Sequence, residues 1–206
     1  MAGVDMNFIG EAFNSSLLND EDIDLNNYLV AYEKLYKLCS LLGTIFGFVG
    51  SEILSKMNVL RELRNKDVAG HFDTMKNMIS YEKGNNMLYK SDYVSGSRTL
   101  LRLHRGLAFI SLFLSKVNQL GMHEGTAQAG REAYDQTLAH YHTWFVRSGA
   151  SIAMYSLPTK EVLLNRVCSN NISDCIKALP RMLQALEIVY NRVQRYYADY
   201  NILNLP

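Results

Sequence analysis

The chain has 206 residues, 48% hydrophobic and 20% charged, values ordinary for one globular domain large enough to bury a core. Its uncharged runs reach 10 to 14 residues, whereas a membrane-spanning helix needs roughly 20. The start Met1-Ala2-Gly3-Val4-Asp5 has neither the basic segment of a secretory leader nor the glycine that myristoylation requires, so the chain reads as soluble and unanchored. The net charge of +1 conceals an asymmetry, because residues 1–33 hold seven acids and no Lys or Arg, leaving the remainder near +8 and suited to an anionic partner such as a phosphate or a membrane surface.

Apolar residues recur at spacings of three and four almost throughout, which predicts an all-α protein of about eight helices. The first two are expected over 6–16 and 26–42, parted by the polar stretch Asn19–Asp24. A third, over 44–64, carries the longest uncharged run and then Glu52 and Lys56. An acid four residues before a base is the ordinary stabilising helical pair. At the end of an apolar run the same two side chains could instead meet a ligand, Glu52 accepting from an N–H and Lys56 facing a phosphate. Phe46 and Val49, on the run itself, are candidate lining residues.

A fourth helix is expected over 70–83, followed by a loop over 83–96. The fifth, over 97–120 with Ser97 as its cap, places Arg98, Arg102, Arg105, Phe109 and Phe113 on one face at offsets of four, three, four and four. Leu100, Leu103, Leu107, Ile110 and Leu114 line the opposite face, and a helix apolar on both sides is buried on both sides. Most arginines are solvated. Here the arginine stripe runs into a phenylalanine stripe, and two guanidiniums one turn apart can grip a phosphate bidentately. Arg105 fits a structural ion pair equally well.

Gly121 and Gly125 mark a break before a helix over 130–153, which carries His140, His142, the single tryptophan Trp144, and Ile152 as a further lining candidate. On one helix His140 and His142 diverge, so a metal pair is not expected. His142 is either a hydrogen-bonded core residue or a donor to a ligand, and Trp144 either core or an interfacial anchor. Helices over 159–168, capped by Thr159, and 172–200 complete the series. Three cysteines, odd in number and without a C-x-x-C pair, suggest neither a disulfide framework nor a zinc site and fit a reducing cytosol. There is no Gly-rich phosphate loop, H-E-x-x-H or G-x-S-x-G, so an enzyme is not expected; nor is a metal or other cofactor.

The segments LCSLLGTIFGFVGSEILSKMNVLRELR (38–64), SRTLLRLHRGLAF (97–109), YDQTLAHYHTWFVRSGASIAMYSLPTKEVLL (134–164) and YADYNILNLP (197–206) resemble the glycolipid transfer protein superfamily in matching order, from about residue 25 to the end. The resemblance implies one domain over 1–206, a two-layer helical sandwich around a hydrophobic pocket that shuttles a sphingolipid between membranes without chemistry. It assigns Glu52 to the ceramide amide N–H, Lys56, Arg98 and Arg102 to a phosphate, His142 to the ceramide carbonyl and Trp144 to the membrane interface. The sugar-binding branch carries a tryptophan in the arginine helix, and 97–120 has none, which favours a phosphate head, ceramide 1-phosphate first.

Glu52 stands where the family typically has aspartate, a departure that keeps phosphocholine and phosphoethanolamine heads open. A membrane-docking adaptor that senses the lipid without moving it is the other class of reading, and a hydrolase using His142 a third. The implied protein is a cytoplasmic, peripherally membrane-associated monomer, touching anionic lipids and no nucleic acid. A carrier has physical sense: at ~0.8 kcal/mol per methylene, a lipid of about thirty methylenes resists entering water by on the order of 25 kcal/mol.

Overall fold

Six of the helices begin where a short polar side chain satisfies a free backbone N–H. Asp5 accepts from Asn7 N, Asp24 from Asn27 N, Thr74 from Asn77 N, Ser95 from Arg98 N, Thr159 from Val162 N and Asn171 from Ser173 N. The computed structural model describes residues 3–19, 21–168 and 171–206 and, of Thr44 and Ile45, the backbone only. Met1 and Ala2, read above for a leader or lipid anchor, lie outside the described residues, as does Asp20 of the first polar stretch.

The elements are α1 (Met6–Asn14), α2 (Leu25–Leu41), α3 (Thr44–Lys66), α4 (Met75–Gly84), α5 (Gly96–Gln119), α6 (Ala127–Gln136), a 3-10 turn (Leu138–Tyr141), α7 (Trp144–Met154), α8 (Lys160–Val167) and α9 (Ile172–Asp199). They close a ring: α1 packs on α2, α2 on α3, α3 on α5, α5 on α9 and α9 back on α1, with α4 and α6 also laid against α5. That closure makes the all-helical sandwich, and α5 is its central member. Both of its apolar faces are covered, with Leu100, Leu103, Leu107, Ile110, Phe109 and Phe113 all buried. Among the described residues no helix is long and apolar enough to cross a membrane.

Four expectations are corrected. The helix expected over 130–153 is three pieces, because Thr137 leaves the helical region (φ −126°, ψ −81°) and His142 is extended. Helix α4 starts at Met75 rather than 70, since Asp67 accepts from the N–H groups of Ala69 and Phe72 and holds the preceding residues in a turn. The cap of α5 is Ser95, not Ser97, which lies within the first turn. Cys168 and Cys175, expected as thiols, are joined in a disulfide with Cα atoms 6.2 Å apart, leaving Cys39 buried and free. Seven residues of separation across the α8–α9 connection was the signal, and the absence of C-x-x-C obscured it. Pro180 sits inside α9 without ending it.

Candidate functional site

The arginine face of α5 is anchored at one end and open at the other. Arg98 donates from Nη2 to the Tyr93 carbonyl, so its guanidinium is held beside the loop that enters the helix. Arg102, one turn on, is exposed. Arg105 takes the structural role: it donates to the Leu203 and Leu205 carbonyls at 2.9 and 3.2 Å and lies 3.9 Å over the Tyr141 ring. Burial holds its guanidinium below the usual value, and the neighbouring Arg102 charge adds to that. The tail and the 3-10 turn are thereby fastened to the cationic face.

Tyr141 leads directly to His142. Its Nδ1 lies 2.7 Å from the Tyr134 hydroxyl, which burial keeps protonated by raising its pKa. In the tautomer where that hydroxyl donates to Nδ1, the neutral imidazole carries its proton on Nε2 and can donate to a carbonyl oxygen. Burial depresses the His142 pKa and the Glu52 carboxylate opposes the shift, while α3 itself packs on α7, the helix that follows His142. Tyr134 is a site residue that sequence reasoning missed, and the eight-residue separation matches no helical spacing because the chain breaks between them.

Glu52 and Lys56 form the expected i,i+4 pair at 3.3 Å, Glu52 being 74% exposed and Lys56 20%. An exposed helical pair contributes only a few tenths of a kcal/mol, so a ligand can exchange it at little cost. The Glu52 carboxylate is therefore available to a ligand, while Lys56 is largely covered.

Among the apolar candidates, Phe46, Phe109 and Phe113 are all buried and mutually packed, with ring centroids 5.8 Å (Phe46–Phe109), 4.8 Å (Phe46–Phe113) and 6.4 Å (Phe109–Phe113). Val49 is partly buried against the same core. The space between α3 and α5 is thus filled by aromatic rings. Ile152 is corrected outright: it is 72% exposed on α7 and lines nothing inside. Once the helix breaks at 137–143, its register no longer follows from the residues before the break. A surface cleft of about 450 Å³, lined by Lys116, Leu120, Glu124, Gly125, Gln128, Ala129 and Glu132, shares no residue with the candidate site.

Trp144 opens α7 and is 73% exposed, beside Phe145 at 80%. Val146, Tyr155 and, on α3, Phe48 are exposed as well. Phe145 and Phe48 were not singled out from sequence, because an exposed aromatic has no signature until the buried face is known. The described residues thus offer a cationic helix face, a hydrogen-bonded histidine, an exposed carboxylate and exposed aromatic side chains. Chemically they can hold an anionic head on an apolar body.

Residues 23–169 match the family described as Glycolipid transfer protein (GLTP), and the chain belongs to that family. The bovine ceramide-1-phosphate transfer protein is 32% identical over 199 residues, covering 95% of this chain and 93% of that protein. The crystal structure of the mouse ceramide-1-phosphate transfer protein in its apo form superposes with a TM-score of 0.92 at 28% identity, covering 98% of this chain and all of that one. The human ceramide-1-phosphate transfer protein in complex with 12:0 ceramide-1-phosphate gives a TM-score of 0.90 at 30% identity, over 99% of this chain and 100% of that one.

Proposed function

We propose that this chain, acting over 1–206 as one unit and as a monomer, carries a phosphosphingolipid, ceramide 1-phosphate first, between membranes without altering it. The observation that carries the reading is the face of α5, where Arg98 and Arg102 continue into buried Phe109 and Phe113. Relatives named for ceramide-1-phosphate transfer, one of them solved with that lipid, support the head group. In this reading Lys56, Arg98 and Arg102 meet the phosphate, a dianion or nearly so at pH 7. Glu52 releases Lys56 to accept from the ceramide amide N–H, and His142 donates from Nε2 to the amide carbonyl. The two hydrocarbon chains part the Phe46–Phe109–Phe113 packing.

Transient contact with an anionic membrane surface is assigned to Trp144 and its neighbour Phe145, since an exposed indole favours the boundary of head groups and chains. Relatives named for lipid transfer favour a carrier over a hydrolase. Peripheral association is assigned to the same rim, and on the cytoplasmic side the Cys168–Cys175 bond, which belongs to an oxidising setting, would be open to reduction.

Transfer of labelled ceramide 1-phosphate from donor to acceptor vesicles, with mass spectrometry of the recovered lipid, tests the reading. Movement of unaltered lipid is expected, and equally in the presence of a thiol reductant. Binding without movement would leave the adaptor, a new product the hydrolase, and loss of transfer on reduction would remove the cytoplasmic placement.

A further inference from the structure

Glu82 is a carboxylate with no exposed surface, in the last turn of α4. The hydrogen bonds to its carboxylate come from the start of the arginine helix and the loop that enters it. Its Oε1 accepts from the Tyr93 hydroxyl at 2.9 Å and from Gly96 N at 2.6 Å, and its Oε2 from the Ser95 hydroxyl at 2.7 Å and Ser97 N at 2.8 Å. Four donors match the acceptor capacity of one carboxylate, and a carboxylate at a helix N-terminus is favoured by the helix dipole.

Two of these bonds lead on to Arg98. Ser95 Oγ, while donating to Glu82, accepts from Arg98 N at 3.1 Å, and Tyr93, tethered by its hydroxyl, presents the carbonyl that receives the Arg98 guanidinium. Glu82 thus fixes Arg98 twice, through the backbone and through the side chain. It also closes an alternative. The N-terminus of a helix is a ready anion site, but here Gly96 N and Ser97 N are taken by an internal anion. A phosphate arriving at α5 finds no free amides at the helix end and is left to the guanidiniums on its flank.

We propose that Glu82, though it touches no lipid, is a positioning residue that sets Arg98 for phosphate recognition and denies the α5 N-terminus to the phosphate. The inference rests on the phosphosphingolipid reading above.

Two variants test it. Glu82→Gln replaces one acceptor oxygen with an amide nitrogen facing two donors, and Tyr93→Phe removes only the hydroxyl tether while leaving the Ser95, Gly96 and Ser97 bonds in place. Both are assayed for ceramide 1-phosphate transfer at a temperature where circular dichroism shows native helix content. The expected result is a half-saturating lipid concentration raised about tenfold in Glu82→Gln, the loss of roughly one charge-assisted hydrogen bond, with a smaller rise in Tyr93→Phe and the maximal rate kept in both.

A maximal rate that falls with the folded fraction, at unchanged half-saturation, would mean that Glu82 serves stability alone and would overturn the proposal. If Glu82→Gln does not fold, Tyr93→Phe decides by the same criterion. A parent chain that moves no ceramide 1-phosphate removes the carrier reading itself. A parent that does, alongside variants with parental half-saturation, removes only the positioning role.

Discussion

The two ends of the candidate site are built differently. The N-terminal half of α5 is buried along its leucine face, capped by Ser95 and braced by a buried glutamate. Helix α7, across the mouth, buries only Met154 among its described side chains and turns Trp144, Phe145, Val146 and Ile152 outward. Low burial puts α7 at the weakly held end of the molecule, while α5 cannot move without opening the core. The contrast fits the proposed division of labour, in which a fixed scaffold reads the charge of the head and a lightly held rim meets the membrane and admits the chains. Between them lie the groups proposed to read the amide, His142 on the break before α7 and Glu52 on α3.

If that division holds, breaking the fixed half has the largest effect. Arg98→Leu and Arg102→Leu are each expected to cut transfer of a phosphorylated sphingolipid by roughly 10- to 150-fold, the loss of hydrogen bonds to a charged group at about 1.5–3 kcal/mol, with helix content unchanged by circular dichroism. Full transfer by either variant would detach the phosphate from α5.

Damage to the lightly held rim comes next and has a different signature. Trp144→Ala is expected to slow transfer about tenfold, from an interfacial aromatic contact of ~1.5 kcal/mol or more, without weakening binding of a short-chain lipid presented in solution. The parent tryptophan fluorescence is expected to shift to the blue on vesicle addition. An unshifted spectrum while transfer proceeds would return Trp144 to a merely exposed surface residue.

Much of this architecture was legible from spacing alone. The arginine stripe, the two-sided burial of α5 and the Glu52–Lys56 pair follow from the 3.6-residue period, and the structure places them accordingly. What was not legible depends on breaks in that period. No Gly or Pro lies between Gln136 and Thr143, so the helix was carried through, and with it Ile152 was turned inward. Thr137, whose hydroxyl bonds back to the Ala133 carbonyl at 2.6 Å, and Thr143, the residue before α7, were the available signs. Glu82 was silent for a different reason, since a buried acid in a polar stretch looks like a solvated one until its four donors are assembled from another helix and a loop.

A smaller change sharpens the amide-reading middle. Glu52→Gln keeps the shape and removes the charge, and a neutral acceptor is expected to lower ceramide 1-phosphate affinity severalfold, about 1 kcal/mol. Glu52→Asp is expected to keep the same head-group preference. An altered preference among phosphate, phosphocholine and phosphoethanolamine heads would show that the extra methylene selects the head.

The fixed half also carries a pH signature. His104, buried on α5 with its ring stacked 4.2 Å from Tyr190 and Nε2 2.7 Å from Gln194 Oε1, has its pKa pushed down to about 4, chiefly by burial. Because the unfolded chain binds this proton near 6.5 and the folded one does not, stability is full above about 6.5 and falls as the pH drops towards 4, by on the order of 3 kcal/mol. Thermal unfolding across that window is expected to show the loss, with less of it in His104→Phe, which keeps a stacked ring but takes no proton. An identical loss in the variant would move its source elsewhere.

The central claim is that recognition needs both halves, a phosphate on α5 and an amide between Glu52 and His142. Competition between phosphatidic acid and ceramide 1-phosphate in one vesicle transfer assay tests it most directly, because phosphatidic acid offers the phosphate and two chains but no N–H. Glu52 then faces ester oxygens, and an unsatisfied acceptor costs about 1–3 kcal/mol. Ceramide 1-phosphate is expected to be preferred by roughly five- to 150-fold, and equal transfer of the two lipids would contradict the account by removing Glu52 and His142 from recognition.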